Sequence, residues 1–317
     1  MPRTYFFAAG FAASFANMTA VKTFAVSMLM AFGLTLNKAP SSIPLIGDGL
    51  YPESAAYRAS TQTLYVGGAG DGSVQTVGPD GAATLLQAGG TDGRDSTLGV
   101  KLDEAHDRLW LVNPQTVYVY SLSGNALIKK VELAGVGNPG LNDLAIDTNG
   151  DAYVTDSFNP VIYKVDGATL EMSRWRDVSV IPYGQQNGVR YNLNGIVFSP
   201  DHEFLLAVKT NEGTLWSVSL ASGEVREISL SQPLLYGDGL SWGPHGKLYV
   251  ARNAANRIST VELATPAGPK TVEDLDIKGL TGPTSLVDSG AALYIVNSQF
   301  WTDPAVLPFH LTQVELP

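Results

Sequence analysis

The chain has 317 residues, 44% of them hydrophobic, which is enough for one large domain or two small ones. It carries 20 Lys and Arg against 30 Asp and Glu, a net charge of −10, without a basic patch, which argues against nucleic-acid binding. It has no cysteine, which excludes disulfides, thiol nucleophiles and zinc–thiolate sites.

The N-terminal segment differs in composition from the rest of the chain. It holds two apolar runs, residues 5–16 and 24–36, each shorter than the roughly 20 residues that span a bilayer and each as long as the apolar region of a signal peptide. Residues 1–42 are therefore predicted to be a signal peptide or a disordered segment, and 43–317 the folded domain. The protein is expected to be secreted and to lack a stable membrane span; if the segment is not a signal, the protein is cytoplasmic.

From residue 43 onward, a unit of short apolar strands and polar turns repeats. Strands rich in aromatic and branched residues recur at residues 64–66, 109–112, 152–154, 204–208, 248–250 and 293–295. The turns before several of them carry hairpin residues such as Asn149-Gly150 and Pro200-Asp201. A period of roughly 45 residues made of four strands predicts an all-β fold, a six-bladed β-propeller of four-stranded blades. A β-sandwich is the alternative, but it does not explain the regular repeat.

Oxygen-bearing residues begin four of the first strands, at intervals of 89, 52 and 44 residues: Glu53, Asn142, Asn194 and Asp238. In a propeller the innermost strands start at one mouth of the central channel, so these four side chains should converge there. The other two blades offer Leu98 and Pro283 or Thr284, which are poorer ligands.

Each of these four residues alone is most often a turn or solvated residue. Two carboxylates close together in a channel cost free energy unless a cation neutralises them. Their oxygens therefore predict a divalent metal site, most suited to Ca²⁺, with Zn²⁺ or Mn²⁺ as alternatives.

The loops after the second strands should reach the same mouth and form a substrate pocket. The residues predicted to line it are Asp71, Asn113, Asp156, Tyr191, Asn253, Asn297 and Trp301. Residues 181–192 account for the long 52-residue interval and form either a lid or a surface excursion. His106, His202 and His245 fall in turns at the opposite mouth, which disfavours a histidine-based triad.

Four motifs resemble those of the senescence-marker protein/gluconolactonase/luciferin-regenerating-enzyme-like family of six-bladed propellers, in the family's order. They are Pro52-Glu53, Asn142-Asp143, Asn194-Gly195-Ile196-Val197-Phe198-Ser199-Pro200-Asp201 and Asp238-Gly239-Leu240. Diisopropyl fluorophosphatase and paraoxonase are related propellers with a similar calcium-ligand set. The resemblance implies that the metal polarises a lactone or ester carbonyl or a phosphoryl oxygen, and that Asp238 is the ligand best placed to act as catalytic base or nucleophile.

Two positions depart from the family pattern. Sugar-lactone members carry an arginine two residues before the second ligand, where this chain has Gly140, and their glycine after the first ligand is Ser54 here. The pocket loops are rich in neutral polar and aromatic residues. A less charged lactone, ester or organophosphate-like substrate is therefore as well supported as a sugar acid.

The sequence thus predicts a calcium-dependent hydrolase of a small lactone or ester. The alternative is a non-enzymatic propeller whose ion is structural and whose mouth binds a small ligand or protein; a lyase-like propeller would need an acid at the mouth. Because a propeller closes its own core, a monomer is expected.

Overall fold

The computed structural model describes residues 39–133, 136–264 and 268–315. Nearly all of the segment predicted to be a signal or disordered lies outside the described residues. The described chain forms six antiparallel sheets of four strands each, in which neighbouring strands follow one another in sequence in five of the six. The predicted all-β six-bladed propeller of four-stranded blades is confirmed.

The first three blades follow one another from the N-terminal side. Blade one contains β2 (Pro52–Arg58), β3 (Thr63–Gly68), β4 (Val74–Val77) and β5 (Ala83–Gln87). Blade two contains β6 (Gly99–Asp103), β7 (Arg108–Asn113), β8 (Thr116–Ser121) and β9 (Leu127–Glu132). Blade three contains β10 (Leu141–Ile146), β11 (Ala152–Asp156), β12 (Val161–Val165) and β13 (Met172–Asp177).

The remaining blades complete the ring. Blade four contains β14 (Leu193–Phe198), β15 (Phe204–Lys209), β16 (Thr214–Ser219) and β17 (Val225–Ile228). Blade five contains β18 (Gly237–Trp242), β19 (Leu248–Arg252), β20 (Arg257–Glu262) and β21 (Thr271–Asp274). Blade six contains β22 (Pro283–Asp288), β23 (Ala292–Asn297), β24 (His310–Glu315) and the N-terminal β1 (Ser41–Pro44). Two short 3₁₀ turns cover Thr91–Gly93 and Pro244–Gly246.

The N-terminal strand closes the propeller. β1 pairs antiparallel with β24, with Ser41 opposite Gln313 and Pro44 opposite His310. The sixth sheet is therefore assembled from both ends of the described chain, so the segment that leads into blade one is hydrogen-bonded into blade six. The strand begins two residues before the domain start at residue 43 that was expected from the sequence.

Aspartates stabilise the hairpin turns between the first and second strands of the blades. The Oδ1 atom of Asp147 accepts hydrogen bonds from the backbone N–H groups of Asn149 (2.8 Å) and Asp151 (3.0 Å). Asp201 accepts one from the N–H of Glu203 at 3.0 Å in the same way. In such Asx turns the side chain accepts hydrogen bonds from backbone N–H groups that have no strand partner in the turn. This explains why aspartate recurs at these turns in the repeat.

The core lies between blades. Each of six clusters of buried apolar side chains combines strands of two neighbouring blades. Trp110 of β7, for example, is fully buried and packs in one cluster with Leu141 and Leu144 of β10. Because each blade buries its faces against its two neighbours, the apolar strands repeat at the period of the blade.

Within the described residues, no helix has the length and apolar character needed to cross a membrane.

Candidate functional site

The first strands of the blades surround the central channel. β2, β6, β10, β14, β18 and β22 contact one another in a closed circle, each against the next and β22 against β2. The residues at the same phase of these strands therefore face one another. We call them the ring residues: Glu53, Leu98, Asn142, Asn194, Asp238 and Thr284.

β-Bulges occur at the ring residues in five blades. The pairing of the first and second strands shifts at Glu53, Asn142, Asn194, Asp238 and Thr284. In blade two the ladder is regular, and the N–H of Leu98 donates to the carbonyl of Val112 at 2.7 Å. A bulge bends the strand and redirects a side chain. The bulges thus coincide with the polar members of the ring.

All four predicted ligand residues are buried. The exposed fractions are 7% for Glu53, 5% for Asn142, 5% for Asn194 and 3% for Asp238, so none is a solvated turn residue. Thr284 is 1% exposed, and its hydroxyl has no hydrogen-bond partner within the described part of the chain. The ring therefore has a fifth buried side-chain oxygen, that of Thr284, which was predicted from the sequence to be a poorer ligand.

In blades four and five, the neighbouring inner strand approaches too closely for a side chain at the residue just after the ring residue. A Cβ at Gly195 would lie 2.2 Å from the carbonyl oxygen of Asp238, and one at Gly239 would lie 2.7 Å from that of Thr284. At the equivalent place in blade one, the buried Ser54 accepts a hydrogen bond from the N–H of Val100 at 3.2 Å. Its hydroxyl therefore links the inner strands of blades one and two.

We expect Gly195→Ala to destabilise the protein by about 1–3 kcal/mol or more, because the added methyl group meets rigid backbone. Gly137→Ala is the matched control, since a Cβ there has no atom within 4 Å. Urea unfolding of both variants measures the difference. Equal midpoints for the two variants would contradict the close approach of these strands.

Burial and mutual repulsion perturb the two ring carboxylates. Burial raises the pKa of Asp238 to about 7, opposed by hydrogen bonds from Asn253 and Asn194. Burial also raises the pKa of Glu53 well above its ordinary value, and the charge of Asp238 raises it further. Both carboxylates thus resist ionisation when no external cation is present.

A lysine–aspartate pair lies beside the ring. Lys101 of blade two donates from Nζ to Oδ1 of Asp143 of blade three at 2.8 Å. Asp143 raises the pKa of both ring carboxylates, whereas Lys101 lowers that of Glu53. This pair was not predicted from the sequence. Asp143 directly follows a ring residue, which could have drawn attention to it, but nothing near Lys101 in the sequence indicates its partner.

Hydrogen bonds hold two of the ring side chains. Asn253 donates from Nδ2 to Oδ2 of Asp238 at 2.6 Å. Asn194 donates from Nδ2 to the hydroxyl of Thr210 at 3.1 Å, and that hydroxyl donates to the carbonyl of Gly237. The bond from Thr210 to Gly237 thus connects blade four with the inner strand of blade five.

Of the seven predicted pocket residues, two contact or influence the ring. Asn253 bonds Asp238 directly, and the pKa of the half-buried Tyr191, raised mainly by burial, is raised further by the charges of Asp238 and Glu53. Trp301 is exposed in the loop after β23.

The other four use their side chains within the loops. Asp71 accepts from the N–H of Ser73, and Asn113 accepts from that of Gln115. Asn297 accepts from the N–H of Thr281. Asp156, fully buried, accepts from three backbone N–H groups, those of Gly140, Phe158 and Asn159.

The insertion at residues 181–192 is tied to the loops of blades three and four. Tyr183 donates its hydroxyl to the carbonyl of Asp156 at 2.9 Å, and the buried Asn192 donates to the carbonyl of Ser157 at 3.0 Å. Asn187 donates to the carbonyl of Asn211 at 2.8 Å. The insertion therefore presents Arg190 and Tyr191 from an anchored position.

The donor set limits what could bind. Among the described residues, no three His, Cys, Asp or Glu side chains lie close enough to hold a metal ion. A cation at the ring would need the carboxamide oxygens of Asn142 and Asn194 as well as the two carboxylates. His106, His202 and His245 lie in turns between first and second strands, as expected.

Comparison with solved structures supports the fold. A gluconolactonase from Xanthomonas campestris is 17% identical with a TM-score of 0.65, covering 92% of this chain and 94% of the other. A luciferin-regenerating enzyme is 15% identical with a TM-score of 0.62, covering 87% of this chain and 95% of the other. A catalytically inactive virginiamycin B lyase from Staphylococcus aureus is 10% identical with a TM-score of 0.61, covering 88% of this chain and 99% of the other. No family model and no curated protein matches the chain. At these identities the likeness is one of fold.

Proposed function

We propose that the ring binds a divalent cation, most suitably Ca²⁺, and that the protein hydrolyses a small lactone or ester at the channel mouth. The observation that carries the proposal is the burial of two carboxylates, Glu53 and Asp238, whose pKa values that burial raises. A buried pair of like charges is costly unless a cation is bound between them.

The residues fit such an ion. Glu53 and Asp238 supply carboxylate oxygens, and Asn142 and Asn194 supply carboxamide oxygens. Calcium takes six to eight oxygen ligands and accepts this mixture, with water completing the set. The hydroxyl of Thr284, which has no hydrogen-bond partner among the described residues, lies at the same phase of the sixth blade. The absence of histidine and cysteine from the ring makes Zn²⁺ less suited, whereas Mn²⁺, which also takes oxygen ligands, is the alternative ion.

A bound ion would polarise the carbonyl or phosphoryl oxygen of the substrate. The chain's own residues would do the rest. Asp238 would accept the proton of the attacking water, and the 2.6 Å hydrogen bond from Asn253 orients its carboxylate for that task. Tyr191 and the apolar Leu98 would border the reacting group. Similarity to the gluconolactonase supports this reaction class by analogy of fold only.

The test begins with the full-length chain stripped of metal by a chelator. Calorimetric titration with Ca²⁺ should give saturable binding at one site. Separate titrations with Mn²⁺ and Zn²⁺ should give weaker binding. A panel of γ- and δ-lactones and aryl esters should then show hydrolysis that chelator removes and Ca²⁺ restores. Failure of all three ions to bind would contradict the proposal, as would hydrolysis that chelator leaves unchanged.

A non-enzymatic, ligand-binding propeller is the second candidate. The Lys101–Asp143 ion pair favours it, because an internal cation already offsets part of the charge beside the ring. Under this reading Ca²⁺ binding would raise thermal stability while every lactone and ester in the panel remained intact.

A further inference from the structure

An arginine in the insertion is held on the faces of two aromatic side chains. The guanidinium of Arg190 lies 4.8 Å from the ring centroid of Phe158 and 5.8 Å from that of Tyr191. The two aromatic rings are 5.4 Å apart and inclined at 39°. Stacking on aromatic faces leaves the edge of a guanidinium, with its N–H donors, available to another group.

This arrangement is built by residues on three segments. Asp156 accepts from the N–H of Phe158 at 2.8 Å and so fixes the start of its loop. Asn192 donates to the carbonyl of Arg190 at 3.0 Å and positions the end of the insertion. The ring of Phe158 occupies the space beside Gly140, where a Cβ would lie 2.5 Å from it. The position of the arginine thus depends on the lack of a side chain at residue 140.

The guanidinium has no acidic partner in the described part of the chain. No carboxylate there forms an ion pair with Arg190, although the side chain is exposed and the protein has an excess of acid. The pKa of its neighbour Tyr191 is raised mainly by burial and further by the charges of Asp238 and Glu53, so Tyr191 lies within electrostatic reach of the ring residues. A cation that forms no carboxylate pair in the described chain and is stacked on two aromatic rings is suited to hold an anionic group of a ligand.

We propose that Arg190, seated on Phe158 and Tyr191, binds a carboxylate carried by the substrate, so that acidic lactones and esters are preferred over neutral ones. A guanidinium holds a carboxylate through two parallel hydrogen bonds, which also fixes its orientation. That the bound molecule is a substrate of the protein rests on the proposed function. The anion subsite itself depends only on Arg190 and its two aromatic neighbours.

The test separates the subsite from the reaction by measuring binding alone. 4-Phenylbutyrate and its uncharged analogue 4-phenylbutyramide are titrated into the full-length protein by ligand-observed NMR, with and without Ca²⁺. We expect the carboxylate to bind more tightly than the amide. Arg190→Met should weaken carboxylate binding roughly tenfold or more by removing charge-assisted hydrogen bonds, and leave the amide unchanged.

Three further variants sharpen the result. Arg190→Lys keeps the charge without the planar fork and should bind the carboxylate with intermediate affinity. Phe158→Leu removes one stacking face and should weaken carboxylate binding without removing the charge. Arg226→Met alters a 72%-exposed arginine on the outer strand of blade four and should match the wild type.

Equal binding of carboxylate and amide by the wild type would overturn the proposal. So would unchanged carboxylate binding in Arg190→Met, which would place the carboxylate on the cation or elsewhere. If Ca²⁺ does not bind but the preference for the carboxylate disappears in Arg190→Met, the proposed function fails and the anion subsite stands.

Discussion

Replacing Asp238 by asparagine is expected to weaken Ca²⁺ binding by more than about 100-fold, since even the loss of residues behind metal ligands costs 10–100-fold. Hydrolysis should fall with it, because the variant lacks both a charged ligand and the proposed base. The substitution keeps the shape of the side chain, and the asparagine Oδ1 can still accept the hydrogen bond that Asn253 donates. Calorimetric titration and the lactone and ester panel measure the two losses.

The same substitution should have the opposite effect on the metal-free protein. Asp238 is 3% exposed, and burial raises its pKa to about 7. Above that pH the folded metal-free protein buries a charged carboxylate, which costs free energy, and an uncharged amide at this position removes that cost. We expect metal-free Asp238→Asn to unfold at a higher temperature than the metal-free wild type at pH 8. Asp276→Asn, at a residue 83% exposed and paired only with Lys278, is the control and should change neither property. Wild-type Ca²⁺ affinity in Asp238→Asn would contradict the assignment of this ligand.

The architecture was predictable from the sequence because its determinants are local. Apolar strands and Asx turns such as that of Asp147 repeat at the blade period, and each blade buries the same faces against its neighbours. The closing strand was not predictable. Ser41–Pro44 is short and mostly exposed, and its partner β24 lies about 270 residues away, so no nearby residue indicates the pairing.

The candidate site was predictable at its carboxylates and carboxamides but not in its surroundings. Glu53 and Asp238 occur at one phase of the repeat, which the closed circle of first strands converts into proximity. Thr284 shares that phase, but a threonine before a strand carries no mark of its burial. Asp156 and Asn297 are the last residues of second strands, and their side chains accept hydrogen bonds from loop N–H groups; sequence alone does not give the direction in which such side chains point.

The second large effect concerns pH. The stability of the metal-free protein should fall as pH rises from about 4 to about 7, which is the reverse of ordinary acid denaturation. An unfolded aspartate has its pKa near 3.8, whereas folded Asp238 has its pKa raised to about 7, so the folded state binds more protons between these values. Glu53, with its pKa also raised, adds to the same slope. The contribution is on the order of a few kcal/mol, lost progressively up to pH 7 and absent above it.

Saturating Ca²⁺ should reverse this trend, because the ion competes with protons for Glu53 and Asp238 and binds only their ionised forms. The increase in melting temperature that Ca²⁺ produces should therefore be small at pH 5 and large at pH 8. Thermal unfolding at both values, with chelator and with Ca²⁺, measures it. Asp238→Asn isolates the site from other ionisations, since it should reduce the metal-free slope to what Glu53 contributes and greatly weaken the response to Ca²⁺. A metal-free wild type whose stability rises steadily from pH 4 to 7, with the same slope as this variant, would mean that Asp238 ionises freely and that the ring does not need a cation.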